Sequence, residues 1–225
     1  GAIDAAWGTP AVLAGRAPEA VLFTGVPFGL GPAEHLAWVR DGAGRPLYDA
    51  LYDRFGVVGV PCAAIGPDGL AWLRRPLDEA APFRGLRMRA FGLTARILDG
   101  LGATTAMAFG ADLTIGLATG AFDGAEVAVP AADFAYGLHE VAPIYLYPSP
   151  LQPATLLDLV VNRDRWNRLA PEARATLEAA CRATAAFADG ANREANAAAL
   201  LRIAGGEVAV SVPTPRPRHR RSAAV

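Results

Sequence analysis

Lysine is absent from this 225-residue chain, so its positive side-chain charge at neutral pH comes from arginine. The formal net charge is only −1, and charged residues make up 19% of the sequence. Binding to nucleic acid or to an anionic membrane surface requires a concentrated positive field. The charge balance therefore argues against nucleic acid and anionic lipid as partners, and we attribute the absence of lysine to codon bias.

Cysteine and histidine are scarce as well, which removes most metal and nucleophile chemistry. Cys62 and Cys181 belong to no CxxC pair and have no histidine at metal-ligand spacing, so they predict no disulfide framework and identify no compartment. The histidines are His35, His139 and His219, and the segment HEVAP lacks the second histidine of a zinc-binding HExxH helix. Because GxSxG and GxxxxGK motifs are also missing, the sequence indicates neither a serine hydrolase nor a P-loop protein.

Hydrophobic residues make up 52% of the chain, yet no apolar run reaches the roughly 18 residues of a membrane-spanning helix. The start also lacks the basic, apolar and small-residue pattern of a secretory signal. The chain opens on Gly1 and enters AIDAAWGTP, which is typical of a strand and turn inside a fold. We therefore expect a fragment, long enough for one large domain or two small ones.

Helix and strand patterns alternate along the chain and predict an α/β fold. VVGVPCAAIG and LAWLRR predict buried strands around the turn GPDG, and FRGLRMRAFG, LTARILDGLG and ATTAMAF follow a strand–helix–strand order. PIYLYPSP and TLLDLVVN predict further strands, before an Ala-rich helix from about 171 to 202. Past residue 203, the Pro- and Arg-rich tail is expected to be disordered.

Two carboxylates, Asp123 and Glu126, stand close together in the stretch FDGAEVAVP. A pair of carboxylates can perform acid–base chemistry. Surface turns also supply such pairs routinely, and these two residues alone do not define a site. Taken by themselves, they favour a structural role.

Four stretches, taken together, resemble one protein family. FRGLRMRAFG, LGATTAMAFGADLTIGLATGAFDGAE, DFAYGLHEVAPIYLYP and LVVNRDRWNRLAPEARATLEAAC are similar, in order and spacing, to the solute-binding proteins of tripartite ATP-independent periplasmic (TRAP) transporters. The resemblance is strongest over residues 83–182 and extends over about 1–200. AAWGTP, LFTGVPFGLGPAEHLAWV and LYDALYDRFGV are most similar to the branch that binds 2-oxo or 2-hydroxy carboxylates such as pyruvate and lactate.

The resemblance implies an α/β, two-lobed periplasmic binding protein fold of the hinged, type II-like class, with an incomplete N-terminal lobe. It assigns residues 1–85 to a partial first lobe, 86–160 to a second lobe with crossing strands, 161–203 to a long bracing helix region and 204–225 to the disordered basic tail. Family members carry further segments before and after the part that matches, so we expect this chain to be truncated at both ends.

The family pairs the carboxylate of its solute with an arginine on a strand written K/R-x-R, which the resemblance places at Arg89. A planar guanidinium group can donate two parallel charge-assisted hydrogen bonds to one carboxylate. Arg87 shares the strand face by alternation, so the choice of Arg89 rests on the resemblance. Trp7, Phe28 and Trp72 are candidates for the apolar side of the site, with packing as the alternative for each.

The same branch holds a cation between protein oxygens and the solute. Its pattern consists of a glutamine, a glutamate with the backbone carbonyl of the next residue, and a later glutamate. These positions correspond here to Asp68, to Glu126 with the carbonyl of Val127, and to Gln152, so the acidic and amide ligands have changed places. An all-oxygen set of this kind suits Ca²⁺ or Na⁺ rather than Zn²⁺. With Ca²⁺, the formal charges of the two carboxylates, the ion, a monocarboxylate and Arg89 cancel, which favours a divalent ion.

The chain departs from this branch at two further positions, which leaves the identity of the solute open. Val127 stands where the branch usually has tryptophan, and Ala64 stands where it usually has asparagine. The role of Asp68 also has an alternative, because aspartate between proline and glycine is an ordinary turn residue.

The resemblance thus implies a periplasmic binding protein without enzymatic activity, which captures a small organic acid by hinge closure and delivers it to the membrane subunits of a TRAP transporter. A homodimer is a further expectation. The alternative interpretation is a truncated, non-functional remnant of such a protein. A third is a small acid-converting enzyme that uses Asp123 or Glu126 as a base.

Overall fold

The computed structural model of the protein describes residues 2–212, which form strands and helices around two β-sheets. The strands are β1 (Ala5–Gly8), β2 (Val57–Ile65), β3 (Ala71–Leu73), β4 (Arg87–Arg89), β5 (Thr104–Ala106), β6 (Gly124–Ala125), β7 (Ile144–Leu146), β8 (Thr155–Asn162) and β9 (Ala209–Ser211). The α-helices are α1 (Pro32–Arg40), α2 (Arg45–Asp53), α3 (Gly92–Gly100), α4 (Ala111–Thr119), α5 (Pro130–Ala135), α6 (Leu138–Val141), α7 (Arg163–Arg168) and α8 (Pro171–Ala204). Two 3₁₀ helices, Pro10–Leu13 and Pro18–Phe23, follow β1. The predicted α/β class is confirmed.

The first sheet is three-stranded and antiparallel, in the order β1-β8-β2. Its register is irregular between Pro61 and Ala63 of β2, where proline has no N–H to donate. Tyr48 and Tyr52 of α2 pack against this sheet, and both hydroxyls donate to the carboxylate of Asp158 on β8. The helix and the central strand are therefore joined by a buried polar contact as well as by apolar packing.

The second sheet is six-stranded and mixed, in the order β5-β4-β6-β3-β7-β9. β4 runs parallel to β5, as the predicted strand–helix–strand order requires, and β3 runs antiparallel to β6 and β7. Trp72 on β3 lies opposite Tyr145 on β7, and their rings stack with centroids 4.2 Å apart. Leu73, the next residue, points to the other face and joins Met88 and Leu98 in a separate cluster.

The lobe ranges 1–85 and 86–160, the second with crossing strands, stay predictions, and each of the two sheets takes strands from both ranges. β3 belongs to the second sheet although it precedes residue 85, and β8 returns to the first sheet although it lies within 86–160. The connections β2–β3 and β7–β8 therefore both cross between the sheets. The sequence indicates that these segments are strands, but strand pairing is a long-range property that local patterns do not contain.

α8 contacts elements of both sheets. It has 34 residues, which at 1.5 Å per residue gives a length of about 51 Å. One part packs on β2 of the first sheet and another on α5 beside the second, where Asn196 Oδ1 accepts the backbone N–H of Ala131 over 3.0 Å. Among the described residues, neither this helix nor any other combines the length and apolarity needed to cross a membrane.

Cys62 and Cys181 form a disulfide, which the scarcity of cysteine in the sequence did not predict. Cys62 lies on β2 and Cys181 on α8, 119 residues apart in sequence. Only the packing of α8 across β2 brings them together, and nothing in their local sequence signals that contact.

The start of the predicted disordered tail, 204–225, is also corrected. β9 (Ala209–Ser211) pairs in parallel with β7, and backbone bonds from Ala209 N–H to the Pro143 carbonyl and from Tyr147 N–H to the Ser211 carbonyl extend the pairing. A three-residue edge strand takes its conformation from its partner, so composition alone does not reveal it. The part of the tail from 213 to 225 lies outside the described residues.

Candidate functional site

The candidate site is a cavity of about 160 Å³ lined by segments that belong to both sheets. Arg89, Asp68, Glu126, Val127 and Gln152 all line it. The structure thus brings together every residue that the resemblance places at the solute carboxylate and at the cation. The lining also includes residues from the region after β1 and from the start of β8, namely Thr9, Ala11, Ala14, Val21, Thr24 and Thr155.

Backbone hydrogen bonds hold the ligand-bearing loops against one another. The N–H of Asp68 donates to the Gln152 carbonyl over 3.1 Å, and the Asp68 carbonyl accepts the N–H of Ser149 over 2.8 Å. The N–H of Gly69 donates to the Ala128 carbonyl over 2.9 Å. These bonds therefore join three segments: the connection β2–β3, the segment after β6 and the connection β7–β8. The site is formed where the two connections cross between the sheets.

Arg89 stands at the end of β4 and is 7% exposed. Its Nε donates to the Ala108 carbonyl over 3.1 Å, and its Nη1 donates to the carbonyl of Glu126. These two bonds fix the guanidinium plane. Nη2 makes no hydrogen bond with the described residues, and it is the group left to donate to a solute carboxylate.

Arg87 has a different environment from Arg89, although strand alternation places both on one face. Its side chain is largely exposed and donates to Asp123 Oδ2 and to the Gly120 carbonyl. Asp123 also accepts the backbone N–H of Arg87 over 2.9 Å and does not line the cavity. The geometry thus distinguishes Arg89 from Arg87 without reference to the resemblance, and it gives Asp123 a structural contact.

Glu126 and Asp68 are two buried carboxylates beside each other, 6% and 7% exposed. Burial raises the pKa of Glu126 to about 7, against the opposing effect of the Arg89 charge. Burial also raises the pKa of Asp68 well above its usual value, and the negative charges of Glu126 and Asp133 add to this rise. The Oε2 atom of Glu126 is buried without a hydrogen-bond partner in the described part of the chain.

Uncharged oxygens complete the set around these carboxylates. Both amide hydrogens of Gln152 are used, since Nε2 donates to the Ala154 carbonyl and to Thr155 Oγ1 at 2.9 Å each, which leaves Oε1 as a free acceptor. No described group donates to the Val127 carbonyl. An unpartnered buried carboxylate oxygen, a second carboxylate that it repels, an amide oxygen and a carbonyl fit a hard cation well.

The ligand set is nevertheless poor in charged groups. Within residues 2–212, no cluster of three or more His, Cys, Asp or Glu side chains is arranged to hold a metal ion. The candidate site depends on two carboxylates and two neutral oxygens. Such a set is suited to Ca²⁺ or Na⁺ and unsuited to a transition metal that requires nitrogen or sulfur ligands.

The three predicted aromatic residues do not line this cavity. Trp7 is 55% exposed on β1 and lines a separate pocket, Phe28 is 73% exposed, and Trp72 is fully buried with its indole N–H directed to Asp133. Phe91 and Leu93 line it instead, together with smaller apolar residues. The sequence could have indicated these two residues only through their closeness to Arg89, since they follow it within a few positions, where β4 leads into α3.

A wider apolar cleft adjoins the candidate site. It has a volume of about 890 Å³ and shares Arg89, Phe91 and Leu93 with the smaller cavity. Met107 and Phe109 line this cleft but not the smaller cavity, and the Arg89 guanidinium lies 5.9 Å from the centre of the Phe109 ring. Arg89 therefore stands at the boundary between a polar cavity and an apolar one.

The chain is similar in sequence to bacterial solute-binding proteins. Residues 1–225 match the profile of a family described as bacterial extracellular solute-binding protein, family 7. A monocarboxylate 2-oxoacid-binding periplasmic protein of Nostoc sp. is 32% identical over 158 residues, which is 70% of this chain and 43% of that protein.

Solved structures of TRAP periplasmic solute-binding proteins share the fold. One from Colwellia psychrerythraea, with bound calcium and pyruvate, is 26% identical with a TM-score of 0.89, covering 96% of this chain and 66% of that one. One from Pseudoalteromonas atlantica, with bound sodium and pyruvate, is 26% identical with a TM-score of 0.87, covering 95% and 65%. The chain thus spans less than half of the curated relative and about two thirds of each structure.

Proposed function

Because the chain belongs to family 7 of the bacterial extracellular solute-binding proteins, we propose that it captures a small 2-oxo or 2-hydroxy monocarboxylate, such as pyruvate or lactate, together with a cation. The observation that supports this most directly is the convergence of Arg89, Asp68, Glu126, Val127 and Gln152 on one cavity. The Nostoc relative is named for 2-oxoacid binding, and pyruvate is bound in both structural relatives.

Arg89 has the properties of an anion-binding residue in this proposal. Two of its donors are held by backbone carbonyls, so the guanidinium group loses little freedom when it binds a solute.

Asp68, Glu126, the Val127 carbonyl and Gln152 Oε1 would hold the cation. Ca²⁺ or Na⁺ bound there would neutralise the buried carboxylates and supply a positive charge to oxygens of the solute. Four oxygens from the chain leave coordination positions for such oxygens, since Ca²⁺ takes six to eight ligands in proteins generally.

Binding of this kind needs no chemical conversion of the solute, so we propose a transport role rather than an enzymatic one. The family resemblance extends the proposal to delivery of the acid to the membrane subunits of a TRAP transporter from the periplasm. The homodimer stays a prediction.

Titration calorimetry of this chain tests the proposal. Pyruvate, lactate and a dicarboxylate would each be titrated in the presence of calcium, sodium or a chelator. We expect cation-dependent binding of a monocarboxylate that weakens at least about tenfold in Arg89→Lys, because lysine lacks the planar guanidinium group that the Ala108 and Glu126 carbonyls hold in place. Arg87→Lys, on the same strand but outside the cavity, is the matched control, and equal losses in the two variants would contradict the assignment of Arg89.

A further inference from the structure

Behind the candidate cation site lies a buried carboxylate that the proposed function does not use. Asp133 on α5 is 0% exposed. Its Oδ2 accepts the indole N–H of Trp72 over 2.8 Å and the hydroxyl of Tyr145 over 3.1 Å, while its Oδ1 accepts the backbone N–H of Ala128 over 3.1 Å. All three partners are donors, and the group best suited to three donors is an ionised carboxylate, which only accepts.

The bond to Ala128 determines the direction of the neighbouring carbonyl. The Val127 carbonyl and the Ala128 N–H belong to one peptide group, which is trans. In a planar trans peptide the C=O and the N–H point in opposite directions. Since the N–H is directed to Asp133, the Val127 carbonyl points away from Asp133, and Val127 lines the cavity.

The peptide groups on either side have other anchors. The carbonyl of Glu126 accepts from the Arg89 side chain, and the carbonyl of Ala128 accepts from the N–H of Gly69. Between them, the peptide that joins Val127 to Ala128 is held by Asp133. One carboxylate therefore sets the orientation of the one backbone oxygen in the candidate ligand set.

We propose that Asp133 is a positioning residue for the cation site, which holds the Val127 carbonyl in the orientation of a ligand by accepting the N–H of Ala128. The inference rests on the proposed function, because it requires a cation at the four oxygens. Residues that orient metal ligands from behind typically change metal affinity 10- to 100-fold when they are replaced.

Asp133→Asn tests this role with almost no change in side-chain volume. Trp72 and Tyr145 together offer two donors on one side, so we expect the amide oxygen to remain with them and the NH₂ group to face the N–H of Ala128. Two donors then oppose each other, and the peptide loses its anchor. Calorimetric titration with calcium chloride should show an affinity at least about tenfold weaker than that of the unaltered chain.

Asp158→Asn is the matched control. Asp158 is also 0% exposed and accepts two aromatic hydroxyls, from Tyr48 and Tyr52, but it does not line the cavity. A calcium affinity within twofold of the unaltered chain is expected for this variant. Amide hydrogen exchange gives a second measurement, in which the N–H of Ala128 should exchange faster in Asp133→Asn and at an unchanged rate in Asp158→Asn.

The outcomes separate this inference from the proposed function. Loss of calcium binding in Glu126→Gln together with an affinity within twofold in folded Asp133→Asn would overturn the positioning role alone. An unaltered chain that binds neither calcium nor sodium would overturn the cation site and the inference with it. If Asp133→Asn does not fold, Asp133→Glu keeps the charge but moves the oxygens, and affinity within twofold in that variant would likewise overturn the role.

Discussion

The ring of Tyr145 occupies the space beside Gly69 that a side chain at position 69 would fill. A Cβ atom built on Gly69 would lie 2.4 Å from Cε2 of that ring and 2.6 Å from its hydroxyl oxygen. Real Cβ atoms essentially never make non-bonded contacts this short, so one of the two groups would have to move. Because Gly69 follows Asp68 and Tyr145 donates to Asp133, this contact joins the candidate site to the buried carboxylate behind it.

Gly69→Ala should therefore destabilise the protein by about 1–3 kcal/mol, the range expected for overpacking in a close-packed interior. Urea denaturation would measure the free energy of unfolding. Gly190→Ala is the control, because Gly190 lies within α8 and a Cβ there meets nothing within 4 Å. Alanine is favoured over glycine in helices by roughly 0.5–1 kcal/mol, so this control should be stabilising, and two changes of the same sign would contradict the prediction.

The carboxylate of Asp158 predicts a pH dependence of stability. Burial raises its pKa to about 6 from the ordinary value of 3.8, although the hydroxyls of Tyr52 and Tyr48 oppose the rise. The folded protein thus holds this proton more tightly than the unfolded chain. The stabilising effect is complete below pH 3.8 and is lost as the pH rises through 6.

Across that range the unaltered protein should lose up to about 3 kcal/mol of stability relative to Asp158→Asn, since one pKa unit corresponds to about 1.4 kcal/mol. Denaturation of both proteins at a series of pH values gives the difference, in which the other titrating groups cancel. A difference that stays constant from pH 4 to pH 7 would exclude a raised pKa at this position.

Removal of the Cys62–Cys181 disulfide should destabilise the protein by about 2–5 kcal/mol, because the bond closes a long loop in the unfolded chain. Thermal denaturation with and without dithiothreitol would measure the effect. The variant with both cysteines replaced by alanine should unfold at a lower temperature and show no response to the reductant. Equal stability of the oxidised protein and this variant would refute the prediction.

Local patterns in the sequence predicted most of the elements. The strands at β2, β7 and β8 and the helices α3 and α8 follow apolar spacing and end signals that act within a few residues. The residues of the candidate site came instead from motif resemblance. Spacing alone does not indicate that Asp68 and Gln152, on different connections between the sheets, are joined by a backbone hydrogen bond.

Long-range packing accounts for what the sequence did not predict. The sequence around Trp72 predicts a strand but does not indicate whether the side chain faces a cavity or the core. Burial in the core is favourable because Asp133 lies there and accepts the indole N–H. Asp133 itself stands among small residues in PAADFA, a composition typical of an exposed helix. Its burial depends on α8, β3 and β7, which are distant in sequence.

The attachment of α8 differs at its two contact regions. Near Cys181 the helix is bonded covalently to β2, whereas near Asn196 it is held to α5 by a hydrogen bond and by packing. The disulfide holds the helix in place on β2, whereas packed helices can slide past each other by small distances. We therefore expect any opening of the cavity to leave α8 fixed on the first sheet and to concentrate the movement beside α5, the helix that carries Asp133.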